Sequence, residues 1–361
     1  MQLGIVGLPF SGKTTLFQAV TKTHLDPALS GKADAHLGIA KVPDERLDRC
    51  SALFHPKSTV NATIEFVDVA GLKKGASGTT QFTTSFLSAV KSNDALIQVV
   101  RLFANDAVPH PDGSIDPLRD VATFETEFIL GDMTVLEARI EKIHKQIGRP
   151  NDEPLKKELP VLEKCLALLQ AEKPLRNEAL SPEELQILKT YQLLSIKPML
   201  IALSLDESQQ PVMEEEVGRI AAAKAGLGTR VAAFFGKIDM EMSELSGDDA
   251  RVFMAEYGIL ESALDTLIRE AYALLGLQSF LTVGEDECRA WTIRAGMTAQ
   301  EAAGVIHTDF IKNFIRAEVV HYDDFIAAGG SFAKAKEAGH WRLEGKGYIV
   351  KDGDILNIRH S

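Results

Sequence analysis

Eight residues near the N-terminus, Gly7-Leu8-Pro9-Phe10-Ser11-Gly12-Lys13-Thr14, match the spacing GxxxxGK[ST] in full. A turn of this kind can wrap a chain of phosphates. Gly7 and Gly12 permit a tight loop whose backbone N–H groups point inward, and the helix that follows offers its positive end to an anion. Lys13 is placed to reach the β- and γ-phosphates, and the Thr14 hydroxyl to ligate Mg²⁺. The plainer reading is a glycine turn with a chance lysine. The context disfavours it: the apolar run Gln2 to Val6 leads in as a buried strand, and Thr14 to Thr21 carries helical spacing. The expected nucleotide-binding residues here are Gly7, Leu8, Pro9, Phe10, Ser11, Gly12, Lys13, Thr14 and Thr15.

A second element supports the first. Asp68-Val69-Ala70-Gly71 closes the β-rich run Ala62 to Asp68. An acidic residue at such a strand end can hold Mg²⁺ through water, and the Gly71 amide can face the γ-phosphate. Asp68 could otherwise be a simple turn residue. Together the motifs specify a magnesium–nucleoside triphosphate site and leave the base open.

These residues need a scaffold, and the rest of the chain supplies one. Ala95 to Val100, Met199 to Leu203 and Arg230 to Phe235 are further short apolar runs separated by helical stretches. Strands alternating with helices predict an α/β fold with a mostly parallel sheet covered on both faces. The length of 361 residues allows two or three domains at about 150 residues each. With 45% hydrophobic and 25% charged residues, intrinsic disorder is excluded as the main theme. A net charge of −12 excludes a protein that coats nucleic acid by bulk charge, though not a local basic patch. The 3 scattered cysteines form no zinc or redox spacing and fit buried thiols in a reducing cytosol. No signal peptide and no apolar stretch long enough for a membrane span is read, so a cytoplasmic protein without membrane contact is expected.

The stretch from Val121 to Leu194 has no strand candidate. Met133, Leu136, Ile140, Ile143 and Ile147 form one heptad seam, and Leu155, Leu159, Leu162, Leu166 and Leu169 a second. Gly148 to Pro154 breaks them, which predicts an antiparallel hairpin roughly 20 to 30 Å long. Ser181-Pro182-Glu183-Glu184 carries a capping box for a further helix. From Gln278 onward the pattern changes to a small α+β module. Strands are expected at Arg289 to Ile293, Phe314 to His321, Trp341 to Leu343, Tyr348 to Val350 and Ile355 to Ile358, with one helix from Thr298 to Phe310. His307 and His321 are read as packing within this module.

With these residues in view, the sequence resembles the YchF/Obg-like ATPases. The likeness is carried by MQLGIVGLPFSGKTTLFQAV, IEFVDVAGL, VPDERL, GSIDPLRD, RLEGKGYIVKDGDIL and above all RAWTIRAGMTAQEAAGVIHTDFIKNFIRAEVVHYDDF. It covers nearly the whole chain. The resemblance implies a Ras-like nucleotide domain over 1–120 and 195–278, a helical coiled-coil insertion over 121–194, and a C-terminal TGS domain of β-grasp type over 279–361. It also implies ribosome or RNA binding and hydrolysis of ATP in preference to GTP, with Mg²⁺ as cofactor.

The resemblance also assigns roles to individual residues. The family's Asn-x-x-Glu base motif falls on Ser204-Leu205-Asp206-Glu207. Glu207 matches, and Ser204 stands where Asn is expected. A serine makes one contact where Asn makes a bidentate pair, a difference of roughly 1–3 kcal/mol. ATP is favoured, and GTP or mixed use stays open. The bland reading makes Asp206 and Glu207 a solvated loop. Leu72 stands where Ras-like proteins place a water-orienting Gln, and His110 matches the family's catalytic His. An exposed loop His without a role is the alternative. Lys32 replaces the Thr of the first switch. In the second, Gly78-Thr79-Thr80-Gln81-Phe82-Thr83-Thr84 replaces a glycine-rich run, which narrows backbone freedom and points to slow or altered hydrolysis.

For partners, Lys73-Lys74, a cluster of Lys142, Lys145, Arg149, Lys156 and Lys157 at the hairpin tip, and Arg289, Arg294, Lys312 and Arg316 among Trp291, Phe310 and Phe314 are candidate RNA-facing residues. Ordinary solvated charge with core aromatics is the competing account. A ribosome-associated ATPase and a non-hydrolysing nucleotide-sensing adaptor therefore remain two readings. A small-molecule kinase is a third, without an acceptor motif to support it. Oligomeric state is not legible.

Overall fold

A computed structural model describes residues 1–23, 36–69, 72–74, 80–245, 247–256 and 262–361. Lys32, Ala70, Gly71, Gly78 and Thr79, singled out above, lie outside the described residues. The chain forms two compact units, Met1–Ile39 with Glu65–Leu274, and Ala40–Ile64 with Leu275–Ser361.

The sheet that carries the phosphate turn has the strand order His36–Lys41, Thr63–Asp68, Gln2–Gly7, Ala95–Arg101, Met199–Leu205, Thr229–Phe235. The inner pairings from Thr63–Asp68 to Thr229–Phe235 are all parallel. Every residue of Ala95–Arg101 and Met199–Leu205 is buried. This is what continuous apolar runs give when both faces of a parallel sheet are covered. The edge strand alternates instead, with Leu37 and Ile39 exposed and Gly38 and Ala40 buried. On one face Val6, Leu8, Leu72, Phe86, Val90, Phe124 and Phe128 pack together. Parallel strands end on one side, and Gly7, Asp68, Arg101, Ser204 and Phe235 all sit at or near that edge.

The helical hairpin appears as Pro117–His144 and Glu153–Gln170. Its first helix starts earlier than the apolar seam suggests, because Asp116 caps it by accepting the Arg119 N–H at 3.1 Å and Pro117 fits the first turn. Leu136, Ile143, Leu162 and Leu169 are buried, and Met133, Ile140, Leu155, Leu159 and Leu166 pack against them. Ile147 falls beyond the helix end and is 37% exposed. The capping box at Ser181 and Glu184 forms in both directions, at 3.2 and 2.7 Å.

The second unit holds a mixed sheet in the order Arg342–Glu344, Phe314–His321, Asp354–His360, Leu277–Thr282, Glu287–Arg294, Ser58–Val60. Its core is Phe280, Ile293, Ala299, Ala302, Ala303, Phe314, Ala317, Val319, Val350 and Leu356. Residues 40–64 belong to this unit: Ser58–Val60 pairs parallel with Glu287–Arg294, and Phe54 stacks on Phe325 at 6.0 Å. Arg46 donates to Asp44 and, at 2.7 Å, to Asp352. Two sequence expectations change here. The helix expected from Thr298 to Phe310 is two, Ala299–Ile306 and Thr308–Asn313, because His307 turns extended and caps the second by accepting the Asp309 N–H. Tyr348 to Val350 is no strand; Ile349 makes a single bridge to Thr298.

Phe124 is fully buried, with edge contacts to Phe82, Phe86 and Phe128. Phe124→Ala is expected to remove about 3–5 kcal/mol of stability, read as a lower urea midpoint. A loss under about 1 kcal/mol would mean that this cluster is not packed as described.

Candidate nucleotide site

The strand Gln2–Gly7 delivers the chain into the turn, and Gly7 is there because nothing larger fits. A Cβ on Gly7 would lie 2.5 Å from the Val99 carbonyl oxygen on the neighbouring strand. Gly12 caps the helix Lys13–Thr21 in the left-handed region, φ 102°, with no side-chain cap and no acidic residue in the first turn. The amides of that first turn are thus left for an anion. Phe10 at the tip is left-handed too, φ 63°, and 63% exposed.

The side chains point to the same ligand. Ser11 is 2% exposed and its Oγ has no hydrogen-bond partner among the described residues. Lys13 donates from Nζ to the Leu8 carbonyl at 2.8 Å. Burial brings its pKa down to about 8, with the negative charge of Asp68 opposing the shift. The Thr14 hydroxyl meets Asp68 Oδ2 at 3.3 Å. Burial raises the Asp68 pKa, while Lys13 and Thr14 pull it back. A hydroxyl and a carboxylate are the hard oxygen donors that Mg²⁺ takes. Thr14 would ligate the ion directly and Asp68 would hold it through water.

Beside the turn lies a cavity of about 380 Å³. Gly12 and Thr15 line it from the turn, Ser204, Leu205, Asp206 and Glu207 from one strand end, Phe103 and Asn105 from a second, and Phe235, Gly236, Lys237 and Ile238 from a third. Ser204 is buried, and its Oγ would meet a Cβ on Gly12 at 2.9 Å. Asp206 is occupied: it accepts the Ser208 N–H and caps the turn of helix Glu207–Val212. Hydrogen bonds from Ser208 hold its pKa below the usual carboxylate range. Glu207 is exposed at the cavity rim. The turn and the Ser204–Glu207 stretch, read separately in the sequence, are therefore brought together. Phe103, Asn105, Phe235, Gly236, Lys237 and Ile238 went unread. Their one signal was the position after a buried strand.

His110 is not among the residues that line this cavity. Its side chain is 4% exposed, Nε2 faces Asp120 Oδ2 at 3.0 Å, and Nδ1 accepts the Asp112 N–H at 3.2 Å. That places the ring proton on Nε2, donated to Asp120. Arg119 holds the other Asp120 oxygen at 2.8 Å. Leu72 is buried in the core beside Leu8 and Phe86. Residues 80–83 of the second switch have structural work: Thr80–Gln81 pairs with Lys73–Lys74, Phe82 packs on Phe86 and Phe124, and Thr83 caps the helix Thr84–Lys91.

Comparison with known proteins follows this geometry. A family model described as 50S ribosome-binding GTPase matches residues 2–136, and the C-terminal YchF-GTPase family, described as a protein of unknown function, matches residues 277–361. The chain is 42% identical to the ribosome-binding ATPase YchF of Bacillus subtilis over 99% of its length and 98% of that protein. It is 36% identical to Obg-like ATPase 1 of Rattus norvegicus, over 100% of this chain and 92% of the relative. The solved structure of the Schizosaccharomyces pombe YchF GTPase superposes with a TM-score of 0.86 at 31% identity, covering 99% of this chain and 97% of that one.

Two outcomes test the turn. Gly7→Ala forces the turn off Val99 and is expected to abolish nucleotide binding in calorimetry. The second is a pH profile. Lys13 in the folded protein titrates near 8 against its ordinary 10.5, so its burial opposes folding below pH 8 and that penalty fades between 8 and 10.5. Phosphates bind the ammonium form, so ATP affinity should fall by up to about tenfold per unit as pH rises above 8. Lys13→Arg should flatten that fall, and an unchanged slope would refute the assignment.

Proposed function

This chain belongs to the family of the YchF and Obg-like ATPases, and from that premise we propose that it is a magnesium-dependent, ribosome-associated nucleotide hydrolase that uses ATP over GTP. The observation that carries this reading is the Gly7–Thr15 turn, where free helix amides, the Ser11 hydroxyl without a partner among the described residues, Lys13 and the Thr14–Asp68 pair converge.

In this account the amides of the turn and Lys13 hold the phosphates, and Lys13 trades the Leu8 carbonyl for the β- and γ-phosphates. Thr14 and Asp68 hold Mg²⁺, which when bound neutralises phosphate charge. Ser204, Leu205 and Glu207, with Phe103 opposite, receive the base. The preference for adenine follows from the family motif, in which Glu207 stands where Ras-like proteins place the guanine-binding Asp. The amide of Gly71 is proposed to face the γ-phosphate. Hydrolysis is assigned to His110, since Leu72 is buried and has no group to orient water. His110 must first leave Asp120. Turnover is then slow in the free protein and rises when a partner frees the loop.

The ribosome is the proposed partner, as the names of the bacterial relatives state for those proteins. At the hairpin tip Lys145 and Lys156 are already paired, with Glu141 and Asp152, which leaves exposed Lys142, Arg149 and Lys157 as phosphate contacts. In the second unit Phe314 is core, whereas the Arg289 guanidinium lies 4.0 Å over the half-buried Trp291 ring, and Arg294, Lys312 and Arg316 are exposed. No helix among the described residues is long and apolar enough to cross a membrane. A cytoplasmic location is proposed with the ribosomal partner.

One observation favours a second reading, a nucleotide-sensing adaptor without turnover: His110 is held by Asp120 and Asp112. Phosphate release with and without ribosomes separates the two. The proposal expects release that ribosomes stimulate, that Lys13→Ala abolishes, and that His110→Ala lowers by about 10²-fold or more. Nucleotide binding without release under any condition would establish the adaptor.

A further inference from the structure

Arg101 ends the strand Ala95–Arg101 and is 2% exposed. Burial pulls its pKa down, and among the described residues no carboxylate restores it. Its Nη1 is buried without a hydrogen-bond partner among the described residues. A lone buried charge is costly to a fold, so what it does hold is informative. Nε donates to the Phe103 carbonyl at 3.0 Å, Nη2 reaches the Asn105 carbonyl at 3.5 Å, and the guanidinium carbon lies 4.4 Å from the centre of the Phe103 ring. Phe103 and Asn105 both line the 380 Å³ cavity beside the phosphate turn.

The same wall is fixed from another strand end. Gln209 Nε2 donates to the Leu102 carbonyl at 3.1 Å, while its Oε1 accepts the Asp206 N–H at 2.8 Å. Residues 102–105 are thus held by one arginine and tied by one glutamine to the stretch that carries Glu207. A planar guanidinium suits this task, since it can donate two directed hydrogen bonds and lie against a ring face together.

We propose that Arg101 is a positioning residue for the base half of the nucleotide site, setting the Phe103 ring and the 102–105 backbone as the wall that a base meets. The proposal rests on the nucleotide-binding reading above. It gains weight from Ser204, whose hydroxyl is a sparse hydrogen-bonding handle, so that placement of the wall decides more of the affinity. Arg101 touches no phosphate in this scheme. Its effect belongs to the base and not to the triphosphate.

Calorimetry with Mg²⁺ and three probes tests this: ATP, GTP and inorganic tripolyphosphate, which fills the turn and leaves the base cavity alone. Arg101→Met is expected to weaken ATP and GTP by roughly tenfold, the scale of one base–aromatic contact. Tripolyphosphate affinity should stay within about twofold, and Arg101→Met added to Phe103→Leu should cost no more than Phe103→Leu alone. Full ATP affinity in Arg101→Met overturns the proposal. So does an equal loss for tripolyphosphate, which would make Arg101 a phosphate ligand or a support of the whole fold. If Arg101→Met does not fold, Arg101→Lys takes its place: it keeps the charge, loses the fork, and should weaken ATP but not tripolyphosphate, with wild-type ATP binding again overturning the idea. Wild-type protein that binds none of the probes would instead sink the nucleotide reading itself.

Discussion

The close approach of two parallel strands at Gly7 governs the rest of the molecule. With the Val99 carbonyl where a Cβ would be, the chain leaves the first strand along a path open only to glycine. It then turns tightly enough to start the next helix with its amides unsatisfied. The half-buried Lys13 and the buried Ser11 hydroxyl beside that turn offer an ammonium and a hydrogen-bonding group to an anion. The parallel register brings the ends of the flanking strands to its rim, so chemistry collects at one edge of the sheet.

How much of this could be read from the sequence depends on how local each feature is. The phosphate turn was legible because its residues are consecutive and their types encode a backbone path. The hairpin was legible because seven-residue spacing encodes a seam, and Leu136, Ile143, Leu162 and Leu169 are indeed buried along it. The cavity was legible only in part. Phe103, Ser204 and Phe235 meet because Arg101 pairs with Ser204 and Leu205 with Phe235 across parallel strands, and no short pattern records such a register. Thr80 to Thr83 were read as a stiffened switch. Pairing, core packing and a helix cap also employ those residues, and of the three only the contact of Phe82 with Phe124 is remote in sequence.

His110 shows the same limit from another side. The family resemblance assigned it chemistry, but its partner Asp120 was hidden as an unremarked residue in the first turn of a helix. Arg119 and the Gln98 side chain, which donates to the Asp120 carbonyl at 3.0 Å, fix that residue in turn. A group held at both ring nitrogens is well ordered and chemically quiet. Activity at such a site is a matter of release as much as of reactivity.

The excursion of residues 40–64 into the second unit has a consequence for how this architecture can change over generations. Two pieces of chain separated by some two hundred residues share one sheet through Ser58–Val60 and Glu287–Arg294, and Arg46 and Asp352 fasten them. The C-terminal stretch is therefore no detachable cassette. A gene fusion that carried residues 277–361 elsewhere would leave behind an edge strand and a helix, and a recombination event inside the N-terminal third would damage both units together. Such interleaving favours inheritance of the chain as a whole, in keeping with relatives that align from end to end.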